Sequence, residues 1–327
     1  MRLRFLSTLL IIFSLASCNQ EGGEKRMFSK TLPDSNGGRL DVLVVAKDAV
    51  WQDVAGESLR KYMTDAQYGL PQPEPRFTVR QVEPKEFNSL LKRARNIIVL
   101  EIDSTEYRVQ KNLYAKPQLF YRFAAETEKD LAGLILQHRQ DMLDQLRQSE
   151  IDYLQKRLVA KHQTQHPVLL AHKVNLKIPQ DYDLEESTDN LLVYWKKGLK
   201  SDQGIMIYFE PIAPSAGVLG ERIIPLRDSL TQIYYQGEKD GTYMVVEDLI
   251  APRISNRELN GQFAIEARGL WRTKGDFLGG AFINYTVFDE INNQRIMLDG
   301  FVYAPEQNKR NLLRELEAIL QTLEITN

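Results

Sequence analysis

Apolar residues in the first half of the chain follow two alternating patterns. Four short runs rich in β-branched and aromatic residues predict buried strands, at 39–46, 77–82, 96–102 and 118–123. Between the first two runs, apolar residues recur at helical spacing from Trp51 to Met63, and a short helix is predicted after Pro84. Strands that alternate with helices predict an α/β layer built on a mixed, partly parallel sheet.

A long helix is predicted to follow the fourth run. Thr127 and Asp130 fit the Ser/Thr-x-x-Asp/Glu signal for a helix start, and no proline or glycine after Gly133 interrupts the stretch to about His162. Charged residues interrupt the apolar positions of this stretch. The pattern therefore fits one helix, two helices, or one helix whose far end projects from the core.

The second half of the chain has the alternating pattern of antiparallel strands. Strands are predicted at 174–178, 191–195, 205–209, 243–250, 263–272, 281–288 and 295–303. A helix is expected near 226–235, and a terminal helix is expected to have Pro305 in its first turn. The terminal helix carries one apolar face, made of Leu312, Leu316, Ile319 and Leu323.

These patterns together predict an α+β fold with two domains. The first is an N-terminal α/β layer with a mixed sheet that ends in the long helix. The second is a mainly antiparallel sheet covered by the C-terminal helix. The predicted boundaries are 39–165 for the first domain and 166–327 for the second.

The N-terminus has the features of a lipoprotein signal peptide. Arg2 and Arg4 precede an apolar run that is too short to span a bilayer. The run ends in Leu15-Ala16-Ser17-Cys18, a lipobox in which Leu15, Ala16 and Ser17 are recognised and the thiol of Cys18 receives the lipid. We expect a signal peptide at 1–17 and a lipidated flexible tether at 18–38. The alternatives are an ordinary signal peptide with a chance cysteine and a buried core cysteine.

Composition restricts the partners of the mature chain. Cys18 is the only cysteine, so no intramolecular disulfide can form. Loss of residues 1–17 leaves 40 basic against 44 acidic residues and changes the net charge from −2 to −4. Export and this mild negative charge argue against a nucleic-acid partner. We expect membrane attachment through the lipid, in the cell envelope and at the outer membrane, with the membrane face left open.

Three stretches of the second half resemble an uncharacterised family. They are Gly269-Leu270-Trp271, Gly279-Gly280-Ala281-Phe282 and Leu298-Asp299-Gly300-Phe301-Val302-Tyr303-Ala304-Pro305. The chain resembles the domain-of-unknown-function family DUF4837, found in lipoproteins of Bacteroidota-type bacteria. The resemblance implies an envelope location and lends no catalytic residue or cofactor. Residues 168–323 also look like PsbP-like modules, which serve as accessory or assembly proteins.

Two histidines have the spacing of a metal site. His162 and His166 would share one face of a helix, although Pro167 stops that helix and no glutamate of the His-Glu-x-x-His kind lies between them. Cationic side chains at a helix C-terminus are the simpler interpretation. We therefore predict no metal and no cofactor, and keep the pair as the metal candidate.

Acids, glycines and aromatic residues supply the other candidates. The acids at 181–186 and at Glu101 and Asp103 read as solvated loops and strand ends, and Gly279-Gly280 as a bulge or tight strand entry. Trp195 and Trp271 are candidates for a ligand platform, such as one that stacks on sugar rings. Strand alternation instead favours the core for at least one member of each adjacent aromatic pair, Tyr194-Trp195 and Tyr234-Tyr235.

Three functions remain open from the sequence. With no readable catalytic motif, the leading hypothesis is a non-enzymatic envelope protein that binds or scaffolds another envelope component. The alternatives are an envelope hydrolase that acts on glycan or peptide, and a small-ligand carrier with a dry pocket between sheet and last helix.

Overall fold

The computed structural model describes residues 31–212, 220–237 and 239–326. The predicted signal peptide and lipobox, with Leu15, Ala16, Ser17 and Cys18, lie outside these residues, as does most of the predicted tether. No helix among the described residues is both long enough and apolar enough to cross a membrane.

The first half of the chain forms a five-stranded sheet with three α-helices. In chain order the elements are β1 (Asp41–Val45), α1 (Asp48–Gln52), α2 (Val54–Thr64), β2 (Thr78–Val82), β3 (Asn96–Ile102), β4 (Glu106–Lys111), β5 (Leu119–Ala125) and α3 (Glu128–Leu158), with short 3₁₀ turns at Pro84–Glu86 and Leu91–Arg93. The strand order is β2-β1-β3-β5-β4, parallel except for β4. Both faces of the central strands are covered, which is why those strands read as continuous apolar runs.

Helix α3 is a single helix that begins at the predicted cap. The hydroxyl of Thr127 accepts a hydrogen bond from the N–H of Asp130 at 3.1 Å. The helix ends at Leu158, one turn before the predicted His162. Its first part packs on the N-terminal sheet, whereas Ile151 and Leu154 pack on Ala318 near the C-terminus. The hypothesis of a projecting far end is therefore wrong, because the contact face changes along the helix.

The second half contains an eight-stranded antiparallel sheet. Its elements are α4 (Pro167–Ala171), β6 (Val174–Asn175), β7 (Asp183–Ser187), β8 (Leu191–Lys196), β9 (Asp202–Pro211), α5 (Ile223–Tyr234), β10 (Tyr243–Val246), β11 (Arg253–Leu259), β12 (Gln262–Lys274), β13 (Gly279–Asp289), β14 (Gln294–Tyr303), α6 (Arg310–Leu320) and β15 (Glu324–Ile325). The order is β10-β12-β13-β14-β9-β8-β7; β10 and β11 pair with successive parts of β12, and β6 pairs with β15.

Strand alternation gives the large sheet two buried faces. On one face, Ile205 and Ile207 of β9 pack with Leu316 and Ile319 of α6, as the apolar face of that helix predicted. On the other face, Met206 packs in a second core that includes residues of α5. The fold class is therefore α+β, with the mixed sheet first and the antiparallel sheet second, as the sequence predicted.

Some predicted boundaries are wrong. Pro305 is not in the first turn of the last helix, because α6 begins at Arg310. The carboxylate of Glu74 accepts hydrogen bonds from the N–H groups of Lys309 and Arg310, at 2.7 and 3.1 Å, and so caps the helix there. Only Val174–Asn175 of the predicted strand 174–178 is paired, and β4, β7 and β11 were not predicted.

Candidate functional site

The two candidate metal-binding histidines do not share a helix. His162 follows the end of α3 and is exposed, and its Nδ1 lies 3.0 Å from the carbonyl oxygen of Val159. His166 caps α4, where its Nδ1 accepts from the N–H of Val168 at 3.3 Å. The shared helical face that a His162–His166 site requires is absent. Within the described parts of the chain, no group of three or more potential ligands from His, Cys, Asp and Glu could hold a metal ion.

The candidate ligand platform belongs to the core on the α5 side of the sheet. Trp271 is buried and its Nε1 donates to the carbonyl oxygen of Val302 at 3.2 Å. Trp195 is half-buried and packs edge-on against Tyr235 and Phe301. Trp271 therefore belongs to the core, whereas Trp195 is only partly covered and has the ammonium group of Lys197 5.7 Å from its ring centroid.

The predicted acidic clusters form surface ion pairs. On exposed β7 and the turn before it, Asp181 pairs with Lys196 at 2.7 Å and Glu185 with Lys197 at 2.8 Å. Around Arg122, the backbone N–H of Ser104 and the guanidinium lower the pKa of Asp103. A carboxyl group held ionised in this way is a poor proton donor at neutral pH.

Gly279 and Gly280 begin β13, which agrees with the predicted tight strand entry. A side chain on Gly280 would collide with the carbonyl oxygen of Val302 and the indole of Trp271. The glycine therefore serves close strand packing.

A cleft rich in arginine lies where the two halves meet, and we call it the arginine cleft. Its volume is about 200 Å³. Six of its lining residues are arginines: Arg76, Arg147, Arg253, Arg257, Arg268 and Arg314. Distant segments supply these side chains: the loop after α2, helices α3 and α6, and strands β11 and β12.

Local structure explains how these segments converge. Glu266 and Arg268 are two residues apart on β12 and thus share one face of the sheet, while Arg314 and Glu317 are three apart on α6. Gly69 has φ +80°, and its backbone lies against Arg268 and Gly269, which leaves no room for a Cβ. This turn places the neighbouring Gln67 and Tyr68 on the cleft wall.

An ion network forms the floor of the arginine cleft. Arg147 pairs with both Glu266, at 2.9 Å, and Glu317. Arg268 lies 3.3 Å from an oxygen of each of these glutamates, and Arg314 pairs with Glu317. The hydroxyl of Tyr285 lies 3.2 Å from Glu266 and from Glu317. The network therefore joins α3, β12, β13 and α6.

Both glutamates of the floor are held as carboxylates. Burial raises the pKa of Glu266, but Arg268 and Arg147 more than offset that effect and lower it to about 2. Burial also opposes the ionisation of Glu317, yet Arg147, Arg314 and Arg268 hold its pKa well below the ordinary value. Burial and the two glutamates raise the pKa of Tyr285. None of these groups is poised to exchange a proton near neutral pH.

The arginine cleft carries an excess of positive charge. Its six guanidinium groups face four carboxylates: Asp144 on the wall, Glu266 and Glu317 at the floor, and Asp65, which lies 3.9 Å from Arg76. Burial lowers the pKa of Arg314 despite its contact with Glu317, and its Nε has no hydrogen-bond partner among the described residues. At the rim, Arg253 lies over the ring of Tyr68 at 4.4 Å, and the exposed Arg257 lies 3.4 Å from Glu266. This arrangement suits an anion.

Sequence reasoning did not find the arginine cleft. Its arginines are spread from residue 76 to residue 314, and each one alone reads as an ordinary surface cation. The available signal was indirect: Glu266 interrupts an otherwise apolar strand.

Each half of the chain matches a family model. Residues 161–322 match the domain of unknown function DUF4837. The C-terminal half belongs to the DUF4837 family. Residues 35–159 match a second domain of unknown function, DUF8532. The arginine cleft is thus built by the DUF4837 half together with Arg76, Arg147 and neighbouring residues of the DUF8532 half.

Solved structures give only weak likenesses to this chain. The Ran-binding protein Mog1p of Saccharomyces cerevisiae aligns with 51% of this chain and 97% of its own, at 8% identity and a TM-score of 0.34. A protein of Bacteroides thetaiotaomicron aligns over 51% of this chain and 49% of its own, at 10% identity and a TM-score of 0.28. No curated protein matches the chain. Scores this low carry no argument about function, and the PsbP-like resemblance stays a prediction.

Proposed function

We propose that this chain is a lipid-anchored protein of the bacterial cell envelope, attached at the outer membrane, that binds an anionic ligand in the arginine cleft without catalysing a reaction. The observation that carries the ligand proposal is the charge excess of six guanidinium groups over four carboxylates in one cleft. The anchor proposal rests on the lipobox Leu15-Ala16-Ser17-Cys18 in the sequence.

The ligand group is an oxyanion, either phosphate or carboxylate. Guanidinium groups bind both through paired N–H donors, and a desolvated cleft strengthens that attraction. A volume of about 200 Å³ fits a small anion, such as a sugar phosphate or a sugar acid, or one anionic group of a larger envelope component. Tyr68 and Phe77 supply the apolar wall on which the rest of such a ligand can pack.

Binding without catalysis follows from the protonation states of the site. Glu266 and Glu317 have lowered pKa values and are neutralised by arginines, so they hold the guanidinium groups in place. The hydrolase alternative is not favoured, because the acids near 181–186 are exposed and ion-paired. The carrier alternative is not favoured either, because apolar side chains such as Leu316 and Ile319 fill the space between the sheet and α6.

Calorimetric titration tests the ligand proposal. The probes are glucose 6-phosphate, glucuronate and glucose, which separate phosphate from carboxylate and both from a neutral sugar. We expect at least one anion to bind and glucose not to bind. Replacing a rim arginine, in Arg253→Ala or Arg257→Ala, should weaken the affinity about tenfold, the effect of losing one charge-assisted hydrogen bond of about 1.4 kcal/mol.

The control for this titration is Arg108→Ala, which removes an exposed arginine of β4 outside the cleft. The control should leave the affinity unchanged. The ligand proposal fails if neither anion binds, or if Arg108→Ala weakens binding as much as the rim variants do.

Metabolic labelling with palmitate tests the anchor. The native chain should take up label and the Cys18→Ala chain should not. An unlabelled native chain, or an N-terminal peptide that still carries residues 1–17, would remove the anchor and leave the arginine cleft to be judged by the titration.

A further inference from the structure

Two hairpin turns of the large sheet present fully exposed apolar side chains. Leu199 lies in the β8–β9 turn and Phe277 in the β12–β13 turn, with relative exposures of 107% and 101%. A single exposed apolar residue is common on a protein surface, so the positions of these two relative to each other and to their neighbours decide what they indicate.

Both turns lie at the same end of the sheet. The β8–β9 turn is closed by the pairing of Lys196 with Gln203, and the β12–β13 turn by the pairing of Arg272 with Gly279. Between them, Tyr303 at the end of β14 pairs with Asp202 of β9, so β14 ends at the same level of the sheet. Three strand spacings separate the two turns, which is about 14 Å. We call this the hairpin end.

Aromatic and lysine side chains surround the two tips. Half-buried Trp195, Tyr243 and Tyr303 lie just below the turns: Tyr243 and Tyr303 are at the last paired positions of β10 and β14 at this end, and Trp195 is one residue before the end of β8. Exposed lysines flank the tips: Lys197 and Lys200 beside Leu199, and Lys239 and Lys274 beside Phe277. Lys197 pairs with Glu185 and Lys239 with Asp276, whereas Lys200 and Lys274 form no ion pair with a described residue. Tryptophan and tyrosine favour the membrane–water interface, and lysine extends its ammonium to the headgroups while its methylenes stay apolar.

The opposite end of the sheet differs in charge. Its β13–β14 turn also carries an exposed apolar residue, Ile291 at 67%, but the exposed Glu290 directly precedes it and no lysine lies in that turn; Asp289 is buried. An exposed carboxylate at that position opposes contact with an anionic bilayer. The two ends of one sheet therefore provide a test and a matched control.

We propose that the hairpin end is a membrane-contact surface, in which Leu199 and Phe277 insert into the outer part of a bilayer and Lys200 and Lys274 contact anionic headgroups. Two apolar side chains bind a membrane weakly by themselves. The proposed anchor would raise their effective concentration at the surface, because fifteen residues link Cys18 to Pro33 and span up to about 50 Å. The contact would then fix the orientation of the body on the membrane.

Site-directed fluorescence tests this surface on the full acylated chain. Cysteine is introduced at one exposed position at a time, in Leu199→Cys, Phe277→Cys and Ile291→Cys, and labelled with nitrobenzoxadiazole. The protein is then bound to vesicles of phosphatidylethanolamine and phosphatidylglycerol. We expect fluorescence at positions 199 and 277 to rise severalfold on membrane binding and to be quenched by nitroxide lipids. The same change in fluorescence at all three positions would overturn the proposal.

The same design separates this inference from the proposed function. An acylated Cys18 has no free thiol, so the parent chain should take no label, and a labelled parent chain would count against the anchor alone. Repeating the three variants in a Cys18→Ser chain at high vesicle concentration keeps the test valid without the anchor. In that chain, a rise in fluorescence for labels at positions 199 and 277 but not at 291 would show that the hairpin end enters the membrane. No rise at any of the three positions would contradict the membrane-contact surface.

Discussion

The carboxylate of Glu74 accepts a hydrogen bond from the backbone N–H of Arg310, at 3.1 Å, and a second from the neighbouring Lys309 at 2.7 Å. An acid from the first half of the chain thus caps the last helix of the second half. The side chain of Arg310 returns the contact by donating to the carbonyl oxygen of Pro75 at 2.6 Å. The start of α6 therefore depends on both halves.

Removal of this cap should destabilise the whole body. Glu74→Ala leaves two buried N–H groups without an acceptor, and we expect the free energy of unfolding to fall by about 1–2 kcal/mol. Urea denaturation measures this loss. The control is Glu126→Ala at an exposed position, and a loss no larger than that of the control would show that the cap contributes nothing.

A buried ion pair on the α5 side of the large sheet should respond unequally to single and double replacement. Arg227 donates from Nε to Asp299 at 2.8 Å, and both side chains are fully buried. Asp299→Ala leaves a buried guanidinium without its carboxylate and should lower the free energy of unfolding by about 3–5 kcal/mol. The double variant Arg227→Met with Asp299→Leu should recover most of that stability. Equal losses in the single and double variants, measured by urea denaturation, would contradict this account.

Low pH should destabilise the protein by protonating Glu266 at the floor of the arginine cleft. The pKa of Glu266 is about 2 in the folded chain against an ordinary 4.5, so its stabilisation is complete above pH 4.5 and is lost as the pH falls toward 2. A shift of this size corresponds to ~3 kcal/mol. Glu266→Gln should therefore lower stability at pH 7 by roughly that amount, and the gap to the native chain should shrink below pH 4.5 and close as the pH reaches about 2. A gap that stays constant with pH would refute this assignment.

Two glycines should respond in opposite directions to the same substitution. Gly280→Ala places a methyl group against Val302 and Trp271 inside the sheet and should cost more than 1 kcal/mol. Gly133→Ala lies on an open face of α3 and should stabilise the chain by about 0.5–1 kcal/mol. Thermal unfolding of the two variants would contradict the packing account if both shifted the midpoint in the same direction.

Periodicity predicted the elements whose burial pattern is uniform. The face of α6 with Leu316 and Ile319 and the long strands β12 to β14 were predicted because one partner surface covers each of them along its length. The contact face of α3 changes from the first sheet to α6, and so its charged positions suggested a projecting end. The start of α6 was misplaced because its cap, Glu74, is more than 200 residues away.

The arginine cleft could not be predicted for the same reason. A local motif carries its chemistry in neighbouring residues, whereas Arg76, Arg147 and Arg257 meet only through the packing of two sheets. The histidines His162 and His166 had local spacing that suggested chemistry, and the end of α3 at Leu158 removed the shared helix face. Spacing along the chain predicts a site only when one element holds all of it.

Anomalous diffraction from crystals soaked in selenate tests the central claim most directly, since selenate reports an oxyanion by its own scattering. The account predicts an anomalous peak in the arginine cleft within hydrogen-bond distance of Arg314 or Arg257, and loss of that peak in Arg314→Met crystals. Selenate that occupies only other surface sites, with the cleft empty in the native protein, would contradict it.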